Sequence, residues 1–197
     1  MGHGVLGRIA ADSLDSLVTR NVPCWGYGLR YDYGVFRQEL TPEGEQVEVP
    51  DYWLERGNPW EIERPDVSYK VRMYGKVTKD ESGRPKWEGG EVLLATAYDM
   101  PITGYNTFNT NNLRLWRSRP YDEYEADLAQ EDELPMTESE DFKSNYFRSV
   151  EKCQEAEYIT SIFYPNDNLQ RDKEIRLKQQ YFYVAATLQD IFRRFEK

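Results

Sequence analysis

YPNDNLQRDKEIRLKQQYFYVAATLQDIFRRFEK, residues 164–197, joins a polar turn to the strongest helical pattern in the chain. Pro165 fixes its own φ, and Asn166, Asp167 and Asn168 favour turn geometry because their side chains bond nearby backbone. Beyond the turn, Ile175, Leu177, Tyr181, Val184, Ala185, Leu188, Ile191, Phe192 and Phe195 recur at steps of three and four. That spacing predicts a long helix with one wide apolar stripe facing a core. Asp172 and Glu174 stand near its start and Arg193, Arg194 and Lys197 near its end, the polarity a helix dipole favours.

Upstream, residues from about 142 to 163 return to helical spacing through Phe147, Val150, Tyr158, Ile159, Ile162 and Phe163. Their middle, Glu151 to Glu157, is polar nearly all round, as in a helix that projects into solvent or meets a partner. Before it, about 121–142 holds ten acidic residues and no basic one, an acidic loop in solvent. Residues 113–116 (LRLW) are strand-like. Val67 to Thr78 alternates with period two, Val67, Tyr69, Val71 and Met73 sharing a face, and pairs in expectation with a strand around Val92–Ala95 as a long antiparallel hairpin. The aromatic, proline-broken run 51–65 reads as an ordered loop pinned by Trp53 and Trp60, and 41–50 as a polar excursion. Trp25, Tyr27, Leu29 and Tyr31 alternate with Gly26 and Gly28, so another backbone is expected to pack closely on the glycine side. Asp32, Tyr33 and Gly34 turn toward a further strand over 35–40. At the front, Gly2, Gly4 and Gly7 precede a helix whose face is Ile9, Ala10, Leu14, Leu17 and Val18. No strand precedes these glycines, which excludes a dinucleotide fingerprint. Their N–H groups at a loop–helix junction suit an anion.

The 197 residues suffice for a real core, and 14% aromatic content compensates for a 39% apolar share. No apolar run approaches the length of a membrane span, and no signal-peptide pattern opens the chain. Cys24 and Cys153 form no framework and read as free thiols. A net charge of −10 argues against nucleic acid as partner. His3 is the one histidine; no metal-ligand spacing, nucleophile–histidine pair or phosphate-binding P-loop occurs. The residues describe an α/β chain that helps bind something polar or anionic, without a catalytic, cofactor-binding or metal-binding set of its own.

GHGVLGRIAADSLDSL, GYGLRYDYGVF, DYWLERGNPWE, YGKV, VLLATAYDMPITGY, NNLRLW and YPNDN…KEIRLKQQYFYVAATLQDIFRRF, in that order, resemble the α-glucan phosphorylases of glycogen, starch and maltodextrin. The resemblance implies part of the N-terminal lobe of a two-lobed, GT-B-type glycosyltransferase: one partial domain over 1–197, mixed and largely antiparallel strands, long helices at the C-terminal end. It implies an enzyme that phosphorolyses terminal α-1,4-linked glucose to glucose 1-phosphate with pyridoxal phosphate held on a lysine of the other lobe. That lysine is not in this chain, which starts inside the glycine motif as though a longer sequence had been cut there. The chain alone is then expected to be inactive; the alternative is a degenerate, non-catalytic fragment serving as a carbohydrate- or effector-binding or assembly module.

Carried onto this sequence, the resemblance gives Gly4 a backbone contact to the substrate phosphate. Val5 replaces the family's second glycine and His3 its asparagine. Leu6 would border the glucosyl site. Asp167 and Asn168 would belong to the loop that gates it, Asn168 bonding sugar hydroxyls. Arg193 and Arg194 would hold the phosphate of AMP in regulated, allosteric members, and Trp25 stands where tyrosine is common. The helix at about 142–163 would meet a second subunit of a homodimer. The implied partners are α-glucan, phosphate and glucose 1-phosphate, and AMP, and the implied compartment is the cytoplasm, or a plastid for a plant or algal parent.

Overall fold

The computed structural model describes residues 4–121, 140–161, 163 and 170–196, with side chains of the second helix described from 150 onward. The elements are α1 (Gly4–Thr19), β1 (Trp25–Leu29), β2 (Arg37–Leu40), β3 (Gln46–Val49), β4 (Ile62–Met73), β5 (Lys76–Lys79), β6 (Pro85–Glu88), β7 (Glu91–Thr103), β8 (Thr110–Pro120), α2 (Glu140–Ser161) and α3 (Gln170–Phe195). The architecture is α/β. A four-stranded sheet runs in the order β1-β8-β7-β4, with β1 parallel to β8 and the other pairs antiparallel.

Residue alternation decides what each face of this sheet holds. Tyr27 and Leu29 of β1 lie level with Arg114 and Trp116 of β8, which lie level with Asp99 and Ala97 of β7. With Tyr69, Val71 and Met73 of β4, these form the face that α2 and α3 cover. Trp116, Phe182, Ala186, Leu93, Ala95, Ala97, Ala156 and Ile159 meet there in one apolar cluster. Trp116 and Phe182 are both 0% exposed, and burying side chains of this size contributes about 1.5–3 kcal/mol each. The opposite face meets α1. A Cβ on Gly26 would lie 3.0 Å from methyls of both Leu14 and Leu113, so the close packing beside the β1 glycines comes from leucine side chains of α1 and β8, and not from another backbone as expected. Within α1, Val18 is buried and Leu14 and Leu17 half-buried, whereas Ile9 is 55% exposed.

The strand boundaries depart from the sequence expectations in three places. The hairpin expected over 67–98 is β4 paired with β7, Val71 opposite Leu93. Its connection folds into a second small hairpin, β5–β6, around a tight junction: a Cβ on Gly90 would meet the Met73 carbonyl at 2.4 Å. The polar excursion 41–50 contains β3, which pairs with β2. The expected loop 51–65 already begins β4 at Ile62; its Trp53 donates to the Tyr31 carbonyl at 3.0 Å, but Trp60 is 76% exposed and pins nothing.

The largest correction concerns α3. The helix forms as expected, but it buries Asp172, Ile175, Gln179, Phe182, Ala186 and Asp190. Most of the expected core stripe, Leu177, Tyr181, Val184, Leu188, Ile191, Phe192 and Phe195, faces outward. The cause is the sheet beneath it: Arg114, Tyr27 and Tyr69 present polar groups that an apolar stripe would leave unpaired. Asp190 satisfies all three. Gln179 likewise donates to the Ile159 carbonyl of α2 at 3.0 Å. The polar-middled helix of the sequence reading is α2, and it does enter the core, through Ala156, Ile159 and Thr160. The acidic stretch lies, except at its ends, outside the described residues.

The rotation of α3 is testable by urea unfolding. Phe182→Ala should cost about 3–5 kcal/mol, and Leu188→Ser should stay within about 0.5 kcal/mol of the parent. A larger loss at Leu188 than at Phe182 would place the opposite face of the helix on the sheet.

Candidate functional site

The densest polar cluster sits where the last turns of α3 cross β1, β8 and β7. The strand register aligns Tyr27, Arg114 and Asp99 in one row across three strands. Arg114 is 4% exposed. Its Nε and Nη2 donate to the two oxygens of Asp99 at 2.7 and 2.8 Å, a fork that matches the carboxylate plane. Its Nη1 donates to Oδ1 of Asp190 at 2.7 Å. Asp190, 1% exposed, also accepts from the hydroxyls of Tyr27 at 2.7 Å and Tyr69 at 2.9 Å.

The paired arginines rest on those same hydroxyls. Arg194 Nη1 donates to the Tyr27 oxygen at 2.9 Å, and Arg193 Nη1 reaches the Tyr69 oxygen at 3.5 Å. Each tyrosine therefore accepts from an arginine and donates to Asp190. The Arg194 guanidinium also lies 3.7 Å from the centroid of the Trp25 ring, and Arg114 lies 4.8 Å from the same ring. Trp25, Tyr27, Ile191, Arg194 and Phe195 line an open pocket of about 360 Å³.

Charge and burial set the protonation of this cluster. Burial, with the Asp190 hydrogen bond and charge next, pushes the Tyr27 hydroxyl up to about 12 against the opposing pull of Arg194. Burial raises Tyr69 in the same direction. Burial alone would lower Arg114, but Asp99 and Asp190 raise it above the usual arginine value. Both tyrosines thus stay neutral donors, and Arg114 stays charged. The arrangement can hold an anion; it offers no nucleophile or general base with a free path to a substrate.

The other expected site residues lie apart from this cluster. Gly4 opens α1 with φ 65°, the left-handed region that suits glycine, and no atom lies within 4 Å of where its Cβ would sit. Val5 follows inside the helix without a left-handed φ, so its side chain strains no backbone there. Leu6 is 82% exposed. Asp167 and Asn168, like His3, lie outside the described residues. Among the described residues no group of histidine, cysteine or carboxylate side chains could hold a metal ion, and no helix is long and apolar enough to cross a membrane. Cys24 and Cys153 are free.

A second buried charge cluster lies at the loop after β1. Arg30 donates to both oxygens of Glu61 at 2.9 and 2.7 Å and to Asp32 at 3.2 Å, with its guanidinium 4.1 Å from the Tyr98 ring centroid. Burial raises Asp32, against the pull of Arg117 and Arg30. The adjoining pocket of about 620 Å³ is lined by Asp32, Tyr33, Tyr52, Arg117 and the α2 residues Glu157 and Tyr158 among others.

Asp190 and Arg114 were not singled out by sequence pattern. Their signal was present: Phe182, Ala186 and Asp190 follow one another at helical spacing, and an acid on a buried line requires a cation. Asp190→Asn, which leaves Arg114 short of one countercharge, should cost about 3 kcal/mol by chemical denaturation. Tyr27 and Tyr31, both pushed up to about 12 from 10.0, favour their neutral forms in the fold. Their stabilisation is present below pH 10 and is lost as pH rises from 10 to about 12. Unfolding free energy should therefore fall across that window, and Tyr27→Phe should make the fall shallower.

The family model for carbohydrate phosphorylases matches residues 1–197. The chain is 50% identical over 202 residues to a glycogen phosphorylase of Saccharomyces cerevisiae, with 100% of this chain and 21% of that protein aligned. It is 49% identical over 201 residues to glycogen phosphorylase 2 of Dictyostelium discoideum, with 100% and 19% aligned. It is 49% identical over 197 residues to the chloroplastic/amyloplastic alpha-1,4 glucan phosphorylase L isozyme of Vicia faba, with 100% and 18% aligned. The chain thus spans about one fifth of the length of these relatives. Matched along its whole length, the chain belongs to the carbohydrate phosphorylase family.

Proposed function

We propose that this chain works as part of an α-glucan phosphorylase, contributing substrate- and effector-binding elements of a GT-B-type N-terminal lobe. The joined enzyme phosphorolyses terminal α-1,4-linked glucose to glucose 1-phosphate. The observation that carries this reading is the family match over all 197 residues. It is supported by relatives named for glycogen and α-1,4-glucan that are about five times as long as this chain. On this reading the chain works only when joined to the lobe that carries pyridoxal phosphate, and is inactive alone.

Within that enzyme each part has a task. The N–H of Gly4, at the first turn of α1, faces the substrate phosphate, and the helix dipole favours the anion there. Leu6 borders the glucosyl site through its backbone. Asp167 and Asn168 gate that site, Asn168 bonding sugar hydroxyls and Asp167 ordering the loop. Arg193 and Arg194 take the phosphate of an effector such as AMP, held in place by Tyr69 and Tyr27. The α2 helix, whose Glu151, Lys152 and Glu155 are exposed, faces a second subunit of a homodimer. The compartment is the cytoplasm, or a plastid for a plant or algal parent.

Pyridoxal phosphate, implied for full-length members, needs a lysine whose amine can bond the cofactor. Lys178 is the one described lysine that is not exposed. Its Nζ lies 3.4 Å from Glu174 and 4.7 Å from the Tyr74 ring centroid. Burial would lower its pKa, but Tyr74 and Glu174 raise it, so it stays an ammonium ion. The described residues do not fit the cofactor, and no step through it belongs to this chain.

A chimera tests the reading. The aligned segment of the Saccharomyces cerevisiae relative is replaced by this chain, and glucose 1-phosphate release is measured. The chimera should be active and the 197 residues alone inactive. Asn168→Ala in the chimera should lower kcat/KM roughly fivefold, about the worth of one hydrogen bond. A folded chimera without activity would overturn the proposal in favour of a non-catalytic binding or assembly module.

A further inference from the structure

The Trp25 indole belongs to the arginine cluster but neither to the apolar core nor to any role assigned above. It is 37% exposed at the start of β1. Its ring is held from several sides. Arg114, buried and fixed by Asp99 and Asp190, lies over it at 4.8 Å. Tyr27 stacks beside it, with centroids 6.4 Å apart and planes 27° from parallel. Tyr27 in turn stacks on the fully buried Trp116 at 6.5 Å. The indole is thus a firm platform at the rim of the sheet, and the guanidinium of Arg194 lies on it at 3.7 Å.

We propose that Trp25 is the positioning residue of the arginine pair: it holds the Arg194 guanidinium flat so that its free edge meets an anionic oxygen in a fixed direction. This rests on the reading of Arg193 and Arg194 as an anion site. The chemistry of a stacked guanidinium supports it. Stacking engages the face of the group and leaves its in-plane N–H donors available, and arginine combines both contacts where phosphate is bound. Tyr27 takes one donor of Arg194, the Nη1 bond at 2.9 Å. The contact to Asp190 Oδ2 is long, at 3.9 Å. The Nε and Nη2 side makes no hydrogen bond to a described residue, and the side chain is 39% exposed. Arg193, by contrast, makes a long hydrogen bond to Tyr69, at 3.5 Å, and no other to a described residue. One arginine is therefore pre-oriented and the other adjustable. An anion loses less side-chain freedom on binding when one of its two partners is already fixed. A tyrosine at position 25 offers a weaker π face and a looser hold.

The test is calorimetric titration of the 197-residue chain with AMP and with inorganic phosphate, comparing wild type, Arg193→Gln/Arg194→Gln, Trp25→Leu and Trp25→Tyr. Thermal unfolding checks each variant. Wild type should bind, and the double arginine variant should not. Trp25→Leu should bind roughly two- to fivefold more weakly, the scale of an exposed cation–π contact. Trp25→Tyr should recover part of that loss at unchanged Tm, a rescue that a merely structural role would not produce. If Trp25→Leu fails to fold, Trp25→Tyr decides alone, with weaker binding than wild type expected. Binding by the Trp25 variants equal to or tighter than wild type overturns the positioning role and leaves the anion site standing. No difference between wild type and the double arginine variant overturns the anion site itself.

Discussion

A carboxylate buried under a helix has few ways to be stable, and Asp190 becomes so by accepting three hydrogen bonds. It takes one N–H from Arg114 and two tyrosine hydroxyls. Those three donors come from β8, β1 and β4, so one side chain ties α3 to three of the four strands. An uncompensated charge there would cost several kcal/mol. That penalty is what selects the helix face. An apolar face would bury more hydrocarbon but strand Arg114 beside Asp99 with its third donor pair unmet and leave two tyrosine hydroxyls dry. The helix instead lays down Phe182 and Ala186 for packing and Asp190 for charge, and turns its leucines outward.

This explains what was and was not legible in the sequence. The period of α3 was plain, because 26 residues at steps of three and four leave little doubt about a helix. Its rotation was not, because hydrophobic periodicity assumes that the apolar stripe faces in. Here the surface beneath is polar at three points, which no local pattern in α3 encodes. The alternation Val67–Met73 identified β4 because that strand has one buried face. β2 lies within the strand expected over 35–40, but its partner β3 escaped notice because its residues are mostly exposed, so alternation carries no burial signal. Likewise the β1 glycines marked a close approach, but only the fold shows Leu14 of α1 filling the space.

The candidate site divides along the same line. Arg193 and Arg194 could be located from sequence because they sit at a helix end and match a family motif. Trp25, Tyr27, Tyr69, Arg114 and Asp190 are spread over more than 160 positions, as the Tyr27–Asp190 bond shows with a separation of 163 residues. Only the sheet register brings them level. The outward stripe of α3, from Leu177 to Phe195, has a related meaning. Apolar positions spaced as in a packed helix stand open to solvent there, and such contiguous exposure is unusual for a chain that has nothing packed against it. In relatives of which this chain spans about one fifth, most of the polypeptide that could cover such a stripe lies elsewhere in the sequence.

The way α3 is anchored also limits how it can move. The helix is about 39 Å long at 1.5 Å per residue, from Gln170 beside the 164–169 segment to Phe195 beside the arginines. Near its C-terminal end Asp190 is bonded to three strands, and Trp116 donates to Thr187 at 3.0 Å. Toward its N-terminal half Gln179 donates to a carbonyl of α2, and Glu174 accepts from the Tyr74 hydroxyl just past the end of β4. Sliding the helix along its axis would break every bond to Asp190 at once, one to a buried group and two to half-buried ones. Tilting it about Asp190 keeps those bonds and strains the contacts of the N-terminal half, at Gln179 with α2 and at Glu174 with Tyr74. A rigid rod fixed at one end amplifies small rotations at the other.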